Sequence, residues 1–186
     1  ILIIGGAGGM GSITIQLAKK ISGLNVVATA SRDESREWCK SMGAAHILDH
    51  SKDLVEQFQT RELNQPDYIF CMSDTDTYFD TMAQLIAPQG KICAIVSTVK
   101  NHDLNQLKNK SASLVWEFMF TRSMFETEDM YKQGEILDSV SQLLDEGFLQ
   151  STLNENLGKI SVDNLIKAHE KIESGRTIGK IVLTGF

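Results

Sequence analysis

The sequence predicts an α/β fold built on a doubly wound, parallel, six-stranded sheet of the Rossmann type. The chain opens on four aliphatic residues, Ile1–Ile4, which run into a glycine-rich turn and then into a stretch of helical spacing. As far as residue 100, short apolar runs alternate with amphipathic segments of about ten residues, which is typical of successive βαβ units. The 186 residues are enough for one domain of ordinary size with a buried core.

The first βαβ unit is predicted within residues 1–30. Ile1–Ile4 is apolar throughout, as expected for a strand that is covered on both faces of a parallel sheet. The second strand is predicted at Asn25–Ala30, and Gly23 ends the helix that precedes it. That helix carries a single apolar stripe at helical spacing, formed by Met10, Ile13, Leu17 and Ile21.

Three further strand–helix repeats follow. Either Ser31 or Asp33 is predicted to cap the next helix, which ends at Gly43. This helix is expected to turn three side chains inward, those of Trp38, Cys39 and Met42. The third, fourth and fifth strands are predicted at Ala45–Leu48, Asp67–Cys71 and Lys91–Val96. Apolar spacing places helices between them, around residues 54–58 and 75–87.

The pattern loosens after residue 100. A sixth strand is predicted at Ser113–Phe120 and an amphipathic helix at Ile136–Leu149. A last helix, which Gly175 ends, is predicted between short strands at Leu153–Leu157 and Ile178–Thr184. We therefore expect a dinucleotide-binding Rossmann domain at 1–150. Residues 151–186 are expected to be C-terminal tail segments, a helix and a strand that pack toward an N-terminal catalytic domain absent from this sequence.

Composition narrows the class of protein. The formal net charge is −6 and no basic tract stands out, which argues against binding to nucleic acid or to an anionic membrane. No apolar run approaches the roughly 20 residues of a membrane span. The three cysteines, Cys39, Cys71 and Cys93, form no C-x-x-C pair, and we expect free thiols in a reducing compartment, the cytoplasm.

The glycine-rich turn carries the first functional signal. Gly6, Gly8 and Gly11 fit the pattern G-x-G-x-x-G between a strand and a helix, the context that the dinucleotide fingerprint requires. In that fingerprint the first glycine permits the tight turn and the second leaves room for the pyrophosphate. The third lets the helix pack closely on the strand. The pattern predicts that the turn binds a dinucleotide.

The end of the second strand indicates which dinucleotide is bound. NAD-specific domains usually place Asp or Glu there to bind the ribose 2′-hydroxyl. Here the position holds Ala30, followed by Ser31 and Arg32. A hydroxyl and a guanidinium suit a 2′-phosphate, whereas a carboxylate would repel it. We therefore predict NADPH, although a helix cap at Ser31 and an exposed charge at Arg32 are the structural alternatives.

With these residues in view, the chain resembles the cofactor domain of the medium-chain dehydrogenase/reductase superfamily. It is most similar to the quinone-oxidoreductase-like branch often labelled zinc-type alcohol dehydrogenase-like. The glycine segment alone is generic, but the ordered set of matching segments spans essentially the whole chain. The segments are GGAGGMGS at 5–12, IQLAKK at 15–20, VVATASRDES at 26–35, MGAAHILDH at 42–50, APQGKI at 87–92 and GRTIGKIVLTG at 175–185.

The resemblance implies an NADPH-dependent oxidoreductase that transfers hydride to a small-molecule quinone, enone or carbonyl substrate. It also implies a preceding catalytic domain that supplies most of the substrate pocket. Members of this branch often lack catalytic zinc. A zinc-dependent alcohol dehydrogenase, with its zinc ligands in that other domain, is the alternative. No metal site and no catalytic residue is predicted within the present chain.

The resemblance also implies roles for individual residues in cofactor binding. Ser31 and Arg32 would bind the 2′-phosphate. His50 would lie near the adenosine phosphate, where such domains often have Tyr, and a surface histidine in a turn is the structural alternative. The pyrophosphate would lie along the glycine turn, whose expected cofactor-binding residues are Gly6, Ala7, Gly8, Gly9, Met10 and Gly11.

Further cofactor contacts are expected where the fourth and fifth strands end, because dinucleotides bind at the carboxyl edge of such sheets. These contacts are Cys71, Met72, Ile95 and Val96. Phe120 resembles part of the segment that approaches the nicotinamide, although core or interface packing fits it equally. Lys180 resembles a lysine that lies close to the cofactor in the family. The simpler interpretation is an ordinary lysine on an edge strand. In the family, the strand around Ser113–Phe118 pairs with its twin in a homodimer, and an apolar edge strand needs such cover.

Three other classes of protein compete with this interpretation. A short-chain dehydrogenase needs a Tyr-x-x-x-Lys pair, and no tyrosine of the chain has a lysine four residues later. A methyltransferase would place an acidic residue where Ala30 stands. A non-enzymatic NADPH-binding sensor or structural protein stays open. Asp74 and Asp76 lie close together, but two loop carboxylates without further ligands are usually solvated.

Overall fold

The structure is a computed structural model that describes residues 1–185. Its main sheet has six strands in the order β3-β2-β1-β4-β5-β6, and every neighbouring pair is parallel. This is the doubly wound order of a Rossmann fold, so the predicted fold class is confirmed. The strands are β1 (Leu2–Ile4), β2 (Val27–Thr29), β3 (His46–Leu48), β4 (Tyr68–Cys71), β5 (Lys91–Ala94) and β6 (Ser113–Trp116).

Helices connect successive strands. They are α1 (Gly9–Lys20), α2 (Asp33–Ser41), α3 (Leu54–Thr60), α4 (Thr75–Leu85) and α5 (Asn105–Lys108). After β6 the chain forms the short α6 (Thr121–Met124) and the longer α7 (Lys132–Asp145). A second sheet pairs β7 (Leu153–Asn156) in parallel with β8 (Lys180–Val182), and α8 (Val162–Glu173) connects them.

The two faces of the sheet have separate cores. Successive side chains of a strand point to opposite faces, and β1 is fully buried on both. Leu2 and Ile4 pack with Phe58 and Met82 of the helices on one face. Ile3 packs on the other face with Ile15 of α1 and with side chains of α2. The apolar run at the start of the chain is therefore explained by helices on both faces of its strand.

The predicted apolar stripe of α1 is real, but it is not the face that meets the sheet. Met10 is 47% and Ile21 55% exposed, whereas Ile15 is fully buried. The face toward the sheet also uses the small residues Gly11 and Ala18, which allow a close approach. Part of the stripe points toward α7, since Met10 and Ile13 line a cavity with Val140 and Leu144.

Several predicted boundaries differ from the structure. The N-cap of α2 is Arg32, not Ser31 or Asp33. The hydroxyl of Ser35 accepts a hydrogen bond from the backbone N–H of Arg32 and donates one to the Arg32 carbonyl. β5 ends at Ala94, so Ile95 and Val96 follow the strand. β6 ends at Trp116, so Phe120 lies beyond it, immediately before α6, which was not predicted.

The C-terminal part of the chain rests on the first helix of the Rossmann unit. The buried Gln16 side chain donates to the carbonyl of Gln150 at 3.0 Å and accepts from its N–H at 2.7 Å. Lys20 donates to the carbonyl of Phe148. Within residues 1–185, no helix combines the length and the apolar character that crossing a bilayer would require.

Candidate cofactor site

The glycine turn leaves the carboxyl end of β1 and enters α1 directly. Its residue with positive φ is Gly5, at +92°, one position before Gly6, the first glycine of the fingerprint. The N–H groups of Gly5 and Gly6 donate to the hydroxyl and the carbonyl of Thr29, at 3.0 and 3.2 Å. The turn is thus held against the end of β2, the strand whose end was predicted to select the cofactor.

Gly6, Gly8 and Gly11 lack side chains for three different reasons. A Cβ on Gly6 would lie 2.9 Å from the Cβ of Ala28 and 3.1 Å from the Sγ of Cys39, so the reason there is packing against β2 and α2. A Cβ on Gly11 would strike the carbonyl oxygens of the turn itself. A Cβ on Gly8 would meet no atom closer than 3.7 Å, so this side of the turn is open.

The open side of the turn forms one wall of a cavity of about 520 Å³ at the carboxyl edge of the sheet. Its wall includes six of the predicted site residues: Ala7, Gly8, Ser31, Arg32, His50 and Met72. The remaining wall residues are Gly5, Thr29, Ala30, Ser35, Ser73, Gly175, Arg176 and Thr177. The structure therefore brings the glycine turn, the end of β2 and a distant C-terminal segment around one space.

The other predicted residues lie outside this wall. Gly6 lies within the turn, Gly11 lies in the first turn of α1 against the carbonyls of Gly5 and Gly6, and Gly9 and Met10 line a smaller cavity of about 290 Å³ on the α7 side. Cys71 is fully buried, and this burial raises the pKa of its thiol.

The last three predicted residues lie in the loops that follow β5 and β6. Ile95 follows directly after β5, and the neighbouring Val96 carbonyl accepts a hydrogen bond from the Thr75 hydroxyl at 2.6 Å. Phe120 packs edge-to-face on Phe118 and is half exposed. These residues are therefore not brought together with the glycine turn in the large cavity.

Lys180, at the start of β8, lies beside the turn. Its side chain crosses the backbone of Gly9, with Nζ 3.1 Å from the place that a Gly9 Cβ would take. Gly8 and Gly179 form a single parallel bridge, and the Gly179 N–H donates to the carbonyl of Ala7 at 2.8 Å. The segment at 175–180 therefore passes alongside the glycine turn as a strap.

The charge in the large cavity is positive. Among the described residues, its wall carries two arginines and a histidine and no carboxylate. Nη2 of Arg32 donates to the backbone carbonyl oxygen of Arg176 at 2.6 Å, which joins these two wall residues. A guanidinium such as that of Arg32, next in sequence to the hydroxyl of Ser31, is a donor suited to a phosphate dianion.

Sequence reasoning missed part of this cavity. Gly5 precedes the first glycine of the fingerprint, and Thr29 precedes the position that selects the cofactor, so neither was predicted. Arg176 and Thr177 lie in the segment GRTIGKIVLTG, in which only Lys180 was given a possible role at the cofactor. Nothing in the spacing could join residue 176 to residue 32, because the contact depends on how the C-terminal sheet packs.

Asp74 and Asp76 have structural partners. Asp74 caps α4 and accepts from the N–H and the hydroxyl of Thr77. Asp76 accepts from the N–H groups of Val99 and Lys100 and contacts Nε2 of His102. The hydrogen bond from the Val99 N–H is the largest cause of a lowered pKa at Asp76, and the contact with His102 is the next largest. Neither carboxylate is left free for a cation.

A resident zinc ion does not fit the residues of this chain. No group of three or more His, Cys, Asp and Glu side chains converges on one point within residues 1–185. A zinc site needs three or four such ligands. The described residues therefore do not hold a complete set of zinc ligands.

Comparison with known proteins identifies the family. The family model for zinc-binding dehydrogenases matches residues 9–136. A zinc-type alcohol dehydrogenase-like protein of Staphylococcus aureus is 46% identical over 183 residues, which are 98% of this chain and 54% of that protein. The chain therefore spans about half the length of this relative.

Two solved structures and a more distant relative are similar to the chain over nearly its whole length. A candidate zinc-dependent alcohol dehydrogenase from Rhizobium etli superposes with a TM-score of 0.93 at 46% identity, covering all of this chain and 54% of that one. A mycobacterial protein in complex with NADPH gives 0.78 at 25% identity, covering 98% and 55%. The NADPH-dependent alkenal/one oxidoreductase of Arabidopsis thaliana chloroplasts is 24% identical over 98% of this chain and 40% of that protein.

A family match over more than half of the chain, a relative at 46% identity and a close structural superposition all agree. The chain belongs to the zinc-binding dehydrogenases of the medium-chain dehydrogenase/reductase superfamily, and it is the C-terminal cofactor-binding domain of the zinc-type alcohol dehydrogenase-like and quinone oxidoreductase branch.

Proposed function

We propose that this domain binds NADPH for an oxidoreductase that transfers hydride to a quinone, an enone or another carbonyl compound. One observation carries the proposal. The wall of the cavity beside the glycine turn includes Ser31, Arg32 and Arg176, and its described residues include no carboxylate. A 2′-phosphate would gain charge-assisted hydrogen bonds there, whereas the ribose of NADH would find no acidic partner.

The turn has donors for the pyrophosphate. Within residues 1–185, the N–H groups of Ala7, Met10 and Gly11 donate to no protein acceptor. They precede or begin α1, whose first turn has no acidic residue. The positive end of the helix dipole and these free N–H groups therefore favour a bound anion, and the open side of Gly8 lets it approach the backbone.

The nicotinamide would lie on the side of the cavity lined by Met72 and Ser73, which follow β4. When bound, it supplies the hydride, and the protein supplies position and electrostatics. Cys71 is a poor candidate for proton transfer, because burial raises the pKa of its thiol. We therefore assign no acid or base in this chain, and the substrate pocket is expected to lie mostly outside it.

The carbonyl and enone substrate class is supported by what similar proteins are named for. The Arabidopsis relative is an NADPH-dependent alkenal/one oxidoreductase, and the mycobacterial structure holds NADPH. The names of the Staphylococcus and Rhizobium relatives favour a second candidate, a zinc-dependent alcohol dehydrogenase. The two candidates share the cofactor domain and differ in metal dependence.

The test is a titration of the full-length protein with NADPH, NADH and S-adenosylmethionine, followed by turnover assays with a quinone, an alkenal and a simple alcohol. Tight binding of NADPH, weaker binding of NADH and reduction of the quinone or alkenal would support the proposal. Turnover that continues after treatment with a zinc chelator would argue against the zinc-dependent alternative. Binding of NADPH without turnover of any substrate would favour a sensor or structural protein.

We also propose that the protein forms a homodimer through β6. This strand lies at the edge of the sheet and, within the described residues, pairs only with β5. Half-exposed apolar side chains extend from Val115 and Trp116 to Phe118 and Phe120. An unpaired edge with this much apolar surface is favourable for pairing with a second copy.

A further inference from the structure

We propose that Trp38 is a positioning residue for the pyrophosphate-binding turn. It would act through the hydroxyl of Ser12 and through the strap residue Gly179. The inference rests on the proposed cofactor role of the turn. It concerns a side chain that the dinucleotide fingerprint does not include, and whose sequence pattern predicts only a core residue of its helix.

The first contact is a chain of two hydrogen bonds. The indole Nε1 of Trp38 donates to the hydroxyl of Ser12 at 2.8 Å, and that hydroxyl donates to the carbonyl of Gly8 at 2.7 Å. An indole N–H can only donate, so the Ser12 oxygen must accept there and its single proton is left for Gly8. Ser12 is fully buried, so water does not compete for these bonds. Trp38 therefore fixes the direction in which Ser12 binds the turn.

The second contact is with the strap. Gly179 has φ of +59°, and a Cβ there would lie 2.9 Å from Cζ2 of Trp38. The indole ring thus lies directly against the backbone of Gly179. The N–H of Gly179 donates to the carbonyl of Ala7 at 2.8 Å. The same tryptophan therefore reaches the turn at two successive carbonyls, Gly8 through Ser12 and Ala7 through Gly179.

The effect on the turn is electrostatic. A carbonyl oxygen that faced the open side of Gly8 would repel a pyrophosphate, whereas an N–H group there attracts it. The carbonyl of Ala7 accepts from the Gly179 N–H, and that of Gly8 accepts from both the N–H and the hydroxyl of Ser12, so neither is free to turn toward a ligand. Their fixed orientation lowers the reorganisation needed when the anion binds.

Simple core packing does not account for Trp38. Its neighbour Cys39 is fully buried in the core of that face, but the indole is only partly buried and borders a surface cavity with Glu37 and Ile178. A residue needed only for volume at this position would not require a ring N–H. A change from Trp to Phe keeps an aromatic ring next to the core but removes the N–H donor and the distal ring atom Cζ2, so it separates packing from the two contacts with the turn.

The experiment compares two ligands in the full-length protein. NADPH contains the pyrophosphate, whereas adenosine 2′-monophosphate contains the adenosine and the 2′-phosphate without it. Trp38→Phe should weaken NADPH roughly tenfold, the usual effect of one lost hydrogen bond near a charged group, and leave adenosine 2′-monophosphate unchanged. Trp116→Phe, a matched change in the half-exposed Trp of β6, should alter neither affinity.

A second variant tests the proposed route. Ser12→Ala removes one of the two contacts through which Trp38 is proposed to act, so Trp38→Phe should weaken NADPH less in the Ser12→Ala background than in the wild type. Additive losses would overturn the inference, as would an unchanged affinity of Trp38→Phe for NADPH. Equal weakening of both ligands by Trp38→Phe would show a general loss of structure and would also overturn it. If the wild type failed to bind NADPH, the proposed function itself would fall.

Discussion

The guanidinium of Arg32 donates a hydrogen bond to the backbone carbonyl of Arg176, with 2.6 Å between Nη2 and the oxygen. One residue follows the second strand of the sheet and the other lies in the C-terminal strap. The bond engages one of the five N–H donors of the guanidinium and leaves the others available. Arg32 is thereby held at the cavity before a ligand arrives, which reduces the conformational entropy lost on binding.

Arg32→Ala should therefore change cofactor preference. We expect NADPH to bind more weakly by roughly 1.5–3 kcal/mol, the range for a hydrogen bond to a charged group, with NADH nearly unchanged. Fluorescence titration of the full-length protein with both nucleotides measures this. Arg61→Ala is a matched control, because Arg61 also donates to a backbone carbonyl, that of Ile47, and does not line the cavity. Equal losses for both nucleotides would refute the assignment.

Gly11→Ala should destabilise the protein. The added Cβ would contact the carbonyl oxygens of Gly5 and Gly6, which belong to backbone and cannot move aside. We expect a loss of roughly 1–3 kcal/mol in the free energy of unfolding, as for other overpacked positions. Gly134→Ala on α7 meets no atom within 4 Å, and relief of glycine's entropy cost should raise stability by about 0.5–1 kcal/mol. Denaturant unfolding compares the two, and a neutral Gly11→Ala would contradict the close packing of α1 on β1.

Acid should loosen the loop at 99–102. The pKa of Asp76 is lowered in the folded protein by its hydrogen bonds, first from Val99, so the carboxylate stabilises the loop at any pH above the ordinary Asp value of about 3.9. That contribution is lost as the pH falls through the lowered pKa. Below about pH 4, the amide hydrogens of Val99 and Lys100 should therefore lose protection, so that they exchange with solvent faster relative to the intrinsic rate at that pH.

Asp76→Asn tests the cause. The amides of Val99 and Lys100 should be less protected at neutral pH, and the additional acid dependence should disappear. Asp80→Asn is the control on the same helix, because Asp80 bonds to Gln106 rather than to this loop. Unaltered protection in Asp76→Asn would show that the carboxylate does not hold the loop.

The edge strand makes the oligomeric state testable. Val115 is 45% exposed on β6, and a lysine there should oppose pairing with a second copy. Sedimentation velocity should show a dimer for the wild type and a smaller species for Val115→Lys. Val99→Lys, at a residue 93% exposed and outside the strand, should leave the dimer intact. A monomeric wild type would exclude this interface.

The strands of the sheet could be predicted because the sequence signal for each strand is local. Each strand is a short apolar run, and the spacing of Gly6, Gly8 and Gly11 predicts the turn between β1 and α1. The inward face of α1 could not be predicted by the same rule. Periodicity found the stripe at Met10 and Ile13, but the sheet is approached by small residues such as Gly11 and Ala18, which carry little hydrophobic signal.

The candidate site was predictable in part for the same reason. Ser31 and Arg32 follow directly after a strand that the sequence defines, so their place at the carboxyl edge was foreseeable. Arg176 reaches that edge only because β8 pairs with β7 and carries the strap past the turn. Its position depends on packing between distant segments, and no period or spacing in the sequence encodes that contact.

The strap also affects the order of events during protein synthesis. The six strands of the main sheet are complete once residue 116 has been made, whereas the donor for the carbonyl of Ala7 is residue 179. A nascent chain therefore contains every strand of its main sheet while the nucleotide turn still lacks its strap. A cofactor that stabilises the finished turn would act late, after translation has passed Gly179, and would favour complete chains over truncated ones.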